Sequence, residues 1–379
     1  MNIHIGMTKT GSTSLQRFLF ANREVLRTQG VSYLDNDEFM FWDAHHRLAQ
    51  SFLPGHDWKA LLEFAGGKDD PATMVSILRE ELAGSGSRNF VISSELFAVE
   101  DAEKVSSGLE DIRELYDIRI LVYIRNYPDF LESLLAHHIT FDGYDNEKVT
   151  EEFKRNFCMG LKGHYSKVID SYARHFGRKN IEVRVLEKEQ LHGGEIIFDF
   201  LAFLGLEKDG SYRDPGMKNI SLRRNGLEYL MFLNRKSKES PVDPMNNRVV
   251  REILKKLPDS ETCSLFNSGL RSEIVSWTEP ECRYLAREYL GCEDGVLFTK
   301  PGGKDIPGGE SYRGLDPEYA VNVSLAIMDR VSGQGDFSGL NLTEGKPKEQ
   351  RTTAGRVLEY LCLRVPGSRM IRDLMKRQG

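Results

Sequence analysis

The chain has 379 residues, enough for one large α/β domain or two medium ones, and its 40 % hydrophobic and 28 % charged content is that of an ordinary globular protein. A net charge of −6 excludes a general nucleic-acid binder, so any anionic ligand must be held by local positive charge. No apolar run reaches the ~20 residues a membrane helix needs, and the five cysteines (Cys158, Cys263, Cys282, Cys292, Cys362) form no CxxC pair, which argues for reduced thiols over a disulfide frame or a zinc site.

Residues 2–6 read as a short apolar strand with no basic leader or cleavage site, so a cytoplasmic protein is expected. Small polar residues fill 7–12, and from Thr13 the residues Leu15, Phe18, Leu19, Val25 and Leu26 recur at helical spacing up to Gly30. Val31 to Leu34 read as a second strand, giving a βαβ opening that favours a parallel sheet. A helix over 73–83, a strand over 89–93 and the strong strand 118–124 follow, and Pro128 opens a helix running to about Ile139. A helix over 164–176, a strand over 181–186 and a helix over 195–204 continue the alternation, which predicts a doubly wound α/β sheet with helices on both faces. Further helices are expected over 220–235 and 247–257, and over 271–290 with an interruption at Pro280. Residues 300–315 and 332–350 read as loops, and 351–379 as a basic, partly amphipathic end. The domain reading is an α/β domain over 1–300 and a C-terminal extension over 301–379, loop-rich with a basic terminal helix.

Gly6-Met7-Thr8-Lys9-Thr10-Gly11-Ser12-Thr13-Ser14 follows a strand and opens a helix. In that setting loop and first-turn N–H groups converge, the helix dipole adds positive potential, Lys9 adds a mobile charge, and Ser12, Thr13 and Ser14 add hydroxyls. The plain alternative is a tight strand-to-helix turn with a capping hydroxyl. The motif is not a Walker A loop, because Lys9 precedes Gly11 instead of following it. The strand 118–124 ends in Arg125 rather than in an acid for magnesium, which suggests an anionic ligand group there.

Lys9 through Gln16 resembles the 5′-phosphosulfate loop of the phosphoadenosine-phosphosulfate-dependent sulfotransferases, in its bacterial and carbohydrate-directed form. Tyr123-Ile124-Arg125-Asn126-Tyr127-Pro128 through Ser133 resembles their 3′-phosphate motif, with arginine at the strand end and serine eight residues later. Gly163-His164-Tyr165 through Leu191, and Asn219-Ile220-Ser221 with the helix after it, are weaker matches, so the resemblance covers about residues 1–240. It implies a P-loop NTPase-like doubly wound sheet and a donor, 3′-phosphoadenosine 5′-phosphosulfate (PAPS), leaving as 3′-phosphoadenosine 5′-phosphate (PAP), with no metal. It also implies an acceptor hydroxyl or amine on a sugar-containing molecule.

On that reading Lys9, Thr10, Gly11, Ser12, Thr13 and Ser14 hold the 5′ end of the donor, and Arg125 and Ser133 hold the 3′-phosphate, at strand carboxyl ends where open α/β sheets bind ligands. Lys218, Arg223 and Arg224 form a basic cluster able to close over the 3′-phosphate, or a solvated helix start. Glu95, just past a buried strand in the place where the resembled family puts its base, is the expected catalytic base beside Lys9, with partial burial lifting its pKa. The rival bases are His45 and His46, also placed to touch the acceptor or donor from a loop, and His137 and His138 late in a helix. His164 and Tyr165 are expected to line the substrate side, and acceptor loops are expected near 35–60, 140–163 and 236–250. The basic end could touch an anionic membrane surface or simply be solvated. A P-loop kinase or nucleotide triphosphatase, and a non-catalytic nucleotide-binding module, remain the alternatives.

Overall fold

In the computed structural model, which describes residues 1–52, 71–98, 102–216, 221–239, 248–259, 263–303 and 314–332, five strands form one parallel sheet. They are β1 (Asn2–Ile5), β2 (Val31–Tyr33), β3 (Asn89–Ser94), β4 (Arg119–Ile124) and β5 (Ile181–Val185), in the order β2-β3-β1-β4-β5. β1 lies in the middle, pairing Ile3 with Ile92 on one side and with Ile120 on the other. All four of its residues are buried, as a central parallel strand requires.

Alternation along the strands serves two cores. Ile3, Ile5, Phe90, Ile92, Ile120, Val122 and Ile124 face one core, while Val31, Tyr33, Val91, Leu121 and Tyr123 face the other. The second core is covered by α1 (Ser12–Ala21), α2 (Arg23–Thr28) and the helix α10 (Ile196–Phe203). The first takes α4 (Pro71–Gly84), α5 (Ala102–Gly108), α6 (Glu110–Leu115), α7 (Tyr127–Phe141), α8 (Glu151–Gly160) and α9 (His164–Phe176), with α3 (His46–Ser51) beside them. Helices thus cover both faces, as the alternating sequence predicts.

After β5, α11 (Arg224–Glu239) packs on α7, α12 (Arg248–Lys256) packs on α14 (Pro317–Ser332), and α13 (Ser268–Leu290) packs on α7, α8 and β5. The expected break at Pro280 does not occur. Leu270 and Ile274 before it and Leu285 and Ala286 after it are all buried, and that packing holds the helix through one missing backbone bond. The single helix expected from Thr13 to Gly30 is instead split at Asn22, whose buried side chain donates to Phe18 O at 2.8 Å and Arg213 O at 2.9 Å. A side chain that donates to the carbonyl four residues back competes with helix continuation. The sequence predicts no helix at α3, α8 or α14, the last of them 16 residues long.

Residues 301–303 and α14 are the described parts of the expected C-terminal extension; the basic stretch 351–379 lies outside the described residues, as do Cys362 and Lys218. Cys158, Cys282 and Cys292 are free thiols. No helix among the described residues is long and apolar enough to cross a membrane.

The strand order fixes where a ligand can sit. From β1 the chain moves outward to β2 on one side, and from β4 it moves outward to β5 on the other. The loops at the carboxyl ends of β1 and β4 therefore diverge, and the crevice between them is the switch point at which open α/β sheets bind ligands.

Candidate functional site

The loop 6–11 leaves β1 and enters α1 at that crevice. Gly6 N donates to Ser94 O at 3.2 Å, drawing the loop against the end of β3. A β-carbon at Gly6 would stand 3.1 Å from Glu95 Cγ and 3.2 Å from Ser12 Cβ, so the close approach of loop, helix and Glu95 needs glycine there. The turn into α1 passes through positive φ at Lys9 (64°) and at the N-cap Gly11 (83°). Lysine pays strain for that conformation, which tertiary structure must hold in place. Thr10 is fully buried and its hydroxyl donates to Met7 O at 2.6 Å, so it braces the loop from within. No side chain caps α1; Thr13 is exposed and Ser14 half-buried at its first turn.

Glu95 begins a short 3-10 turn, Glu95–Ala98, at the end of β3, and only 9 % of it is exposed. The Ser12 hydroxyl donates to its Oε1, and Gln16 Nε2 donates to its Oε2 at 2.9 Å. Ser12 and Gln16 are four apart on α1 and so share a face. His46 Nε2 lies 3.8 Å from Glu95 Oε2, while His46 Nδ1 is 2.8 Å from Ser94 Oγ. Behind this row, His4 Nδ1 is 2.8 Å from Ser93 Oγ, to which Gln16 also donates at 3.2 Å. Burial alone would lift the Glu95 pKa, but His46 and the hydrogen bonds from Gln16 and Ser12 outweigh it and hold the carboxyl below the usual range. The expected upward shift is therefore reversed, and Glu95 is ionised at neutral pH. Burial holds His46 below its ordinary value and His4 down at about 4.

Across the crevice, Arg125 follows the end of β4. Its Nη1 donates to Lys9 O at 3.3 Å, so the two loops touch. Its own carbonyl accepts from the Tyr165 hydroxyl at 2.9 Å, and its Nη2 stands 4.0 Å from Asp129 Oδ2. Asn126 caps α7 by accepting from Asp129 N at 3.0 Å, which fixes the helix directly behind Arg125. Ser133 is half-buried in the second turn of α7, and His137 follows one turn later. His137 Nε2 is buried with no hydrogen-bond partner, and burial together with the Lys9 charge pushes its pKa well down.

The other expected residues have protein partners of their own. His45 is fully buried; its Nε2 donates to Leu34 O at 2.6 Å and its Nδ1 accepts from Ser93 N at 3.1 Å. That pair of contacts fixes a neutral ring that extends the sheet edge, its pKa pushed down to about 4 by burial. His164 starts α9 with its ring stacked on Phe130 at 5.8 Å, and is likewise held at about 4 by burial. His138 is 2.5 Å from Asp142 through Nδ1 and stacks on Tyr144 at 4.9 Å, closing the end of α7. Arg223 donates to Asp259 O at 2.9 Å; Arg224 donates to Ser264 O at 3.0 Å and pairs with Glu228 at 2.6 Å.

Sequence reasoning gave no role to Gln16, His4, Ser93 or Ser94. The signals were present: Gln16 one turn after Ser12, and a histidine and serines inside otherwise apolar central strands.

No protein-family model matches the chain, and no curated protein matches it in sequence. Among solved structures, it is similar to a sulfotransferase from Alicyclobacillus acidocaldarius, with 16 % identity and a TM-score of 0.42, over 75 % of this chain and 93 % of that one.

Proposed function

We propose that this protein transfers a sulfuryl group from PAPS to an acceptor hydroxyl or amine, on a carbohydrate or glycolipid. The observation that carries the reading is the contact between Arg125 and the Lys9 carbonyl, with Glu95 tied to the same loop through Ser12. The Arg125 guanidinium and the Glu95 carboxylate are thereby both tied to the loop and first turn that carry Lys9.

The residues fit such a donor. Gly6 lets loop and helix approach closely, and Lys9 and Arg125 supply the positive charge that a chain of net charge −6 must concentrate locally. The loop 6–11, Lys9 and the first turn of α1, with Ser12, Thr13 and Ser14, would hold the 5′ end; Arg125 and Ser133 would hold the 3′-phosphate. When bound, PAPS supplies an activated sulfuryl group whose departure leaves negative charge on a phosphate oxygen. Lys9 stabilises that charge. Glu95 accepts the acceptor proton; the ion is already formed at neutral pH, and a carboxylate holding one hydrogen bond per oxygen retains lone pairs for a further donor. His46 holds its ring against Glu95 from the other side.

For the acceptor, the turn Phe41–Ala44 before α3 carries Trp42, 58 % exposed and at a φ of 58°. An exposed aromatic ring in a strained turn four residues before His46 suits stacking against a sugar ring.

A second reading, a magnesium-dependent nucleotide kinase, draws on the bond from the Ser12 hydroxyl to Glu95, because a loop hydroxyl and a strand-end carboxylate are the pair that shares magnesium in such enzymes. Transfer of labelled sulfate from PAPS to glycan extracts of the host, in EDTA, separates the two. Transfer in EDTA supports the sulfuryl reading; magnesium-dependent ATP turnover with no sulfate transfer overturns it.

A further inference from the structure

Asp129 stands behind Arg125 and belongs to a charge array that the proposed donor contacts do not use. Arg271, on α13 and 4 % exposed, reaches α7 from 142 residues away in sequence. Its Nη2 donates to Asp129 Oδ1, and its Nη1 donates to Glu132 Oε2 at 2.7 Å. Its Nε and Nη2 also donate to Gly302 O at 3.0 and 2.9 Å. Gly302 belongs to a strap that is tied on its other side to the end of β5, where Thr299 N and Lys300 N donate to the Glu187 carboxylate at 2.8 and 3.1 Å. A β-carbon on the next residue, Gly303, would lie 2.5 Å from Arg271 Nη2 and 2.6 Å from Asp129 Oδ1, so the strap lies directly on this pair.

The other Asp129 oxygen, Oδ2, accepts from Asn126 Nδ2 at 3.3 Å and faces Arg125 Nη2 at 4.0 Å, beyond hydrogen-bond reach. A buried carboxylate that close to a guanidinium would normally close the gap and form a full ion pair. A guanidinium so paired has its charge neutralised and its donors spent. Here the carboxylate is already satisfied by a second arginine, and Arg125 keeps Nη1 on the Lys9 carbonyl and its charge in the crevice.

We propose that Arg271 is a positioning residue for the nucleotide site: by engaging Asp129 it stops that carboxylate from capturing Arg125, and so keeps Arg125 available to a ligand 3′-phosphate. The inference rests on the 3′-phosphate reading of Arg125 given above. It names a residue far in sequence from the motifs that carry the resemblance.

The test is calorimetric binding of PAP and of adenosine 5′-phosphate to four full-length proteins: wild type, Arg271→Gln, Asp129→Asn, and the double variant. The ratio of the two affinities reads the 3′-phosphate contact alone. In Arg271→Gln the freed carboxylate closes on Arg125, and the preference for PAP falls about tenfold or more, the scale of a charged hydrogen bond. Adding Asp129→Asn removes the competing charge and restores the preference to within about threefold of wild type, a rescue that a merely structural role for Arg271 does not produce. If Arg271→Gln does not fold, Arg271→Lys replaces it, because lysine cannot span Asp129, Glu132 and Gly302 together. An unchanged ratio in the folded single variant, or a double variant no better than the single, overturns the proposal. A wild type with no preference for PAP overturns the 3′-phosphate reading itself, and this inference with it; wild-type preference with insensitive variants overturns this inference alone.

Discussion

The two sides of the crevice are built on different physics. On the β3 side, Glu95 sits in a nearly dry network, hydrogen-bonded by Ser12 and Gln16 and faced by His46, with Ser94, Ser93 and His4 beyond them. On the β4 side, Arg125 belongs to an array of full charges, Asp129, Glu132 and Arg271, in which Asp129 and Arg271 are as buried as Glu95 and are closed by a strap from far along the chain. A hydrogen-bonded network in a low-dielectric pocket fixes one carboxylate sharply and tolerates no lost partner. A charged array balances attraction against competition, and its output depends on which pairs are allowed to close. The first arrangement suits a group that must handle a proton, the second a group that must hold an anion.

The sharpest way to break the contrast is Glu95→Gln. An amide can still accept from Ser12, so the loop stays in place, but it cannot take a proton. Transfer should fall by ~10²–10⁴-fold while PAP affinity changes by less than about threefold. Steady-state transfer beside calorimetry checks this, and unimpaired turnover removes Glu95 from the chemistry. Arg125→Ala should do the opposite, lowering the preference for PAP over adenosine 5′-phosphate by about 10- to 100-fold, the range of a charged hydrogen bond. Ser133→Ala, which removes one neutral donor, should cost only about two- to tenfold on the same ratio. A larger loss for Ser133 than for Arg125 would reverse the order assigned to the charged side.

Buried histidines on both sides also make the fold sensitive to acid. His4, His45 and His164 are buried and held at about 4, against an ordinary value of 6.5. Between those two values the unfolded chain binds protons that the folded chain does not, so stability is fully present above pH 6.5 and is lost as pH falls toward 4. Glu95, held below its ordinary value, adds a loss in the same direction at lower pH still, below about 4.5. Denaturant midpoints measured from pH 7 to pH 4 should fall steadily, and the fall should be smaller in a folded His164→Phe variant, whose ring keeps the stack on Phe130 but cannot titrate.

The legible parts of this molecule are those whose causes are local. A strand followed by Lys-Thr-Gly-Ser-Thr, an apolar strand ending in arginine, and Pro128 opening a helix can each be read from a few adjacent residues, and β1, β4, α7 and α9 stand within a residue or two of the expected places. The pairing of Ser12 with Glu95, 83 residues apart, and of Arg271 with Asp129, 142 apart, depends on the strand order, which no local pattern encodes. The sign of the Glu95 shift is not legible in the sequence for the same reason: burial can be read from an apolar run, but the groups that outweigh it come from other elements. His45 shows the converse. A histidine pair in a loop invites a catalytic reading, yet both ring nitrogens of His45 are spent on backbone partners that prolong the sheet.

At the centre of the account lies one nucleotide gripped at both ends, by the loop carrying Lys9 and by Arg125. Calorimetric titration of the wild-type protein in EDTA with PAP and, separately, with adenosine 5′-phosphate tests it most directly. The account predicts PAP binding tighter by about 10- to 100-fold, unchanged when magnesium is restored. Equal affinity for the two nucleotides, or binding that appears only with magnesium, would contradict it.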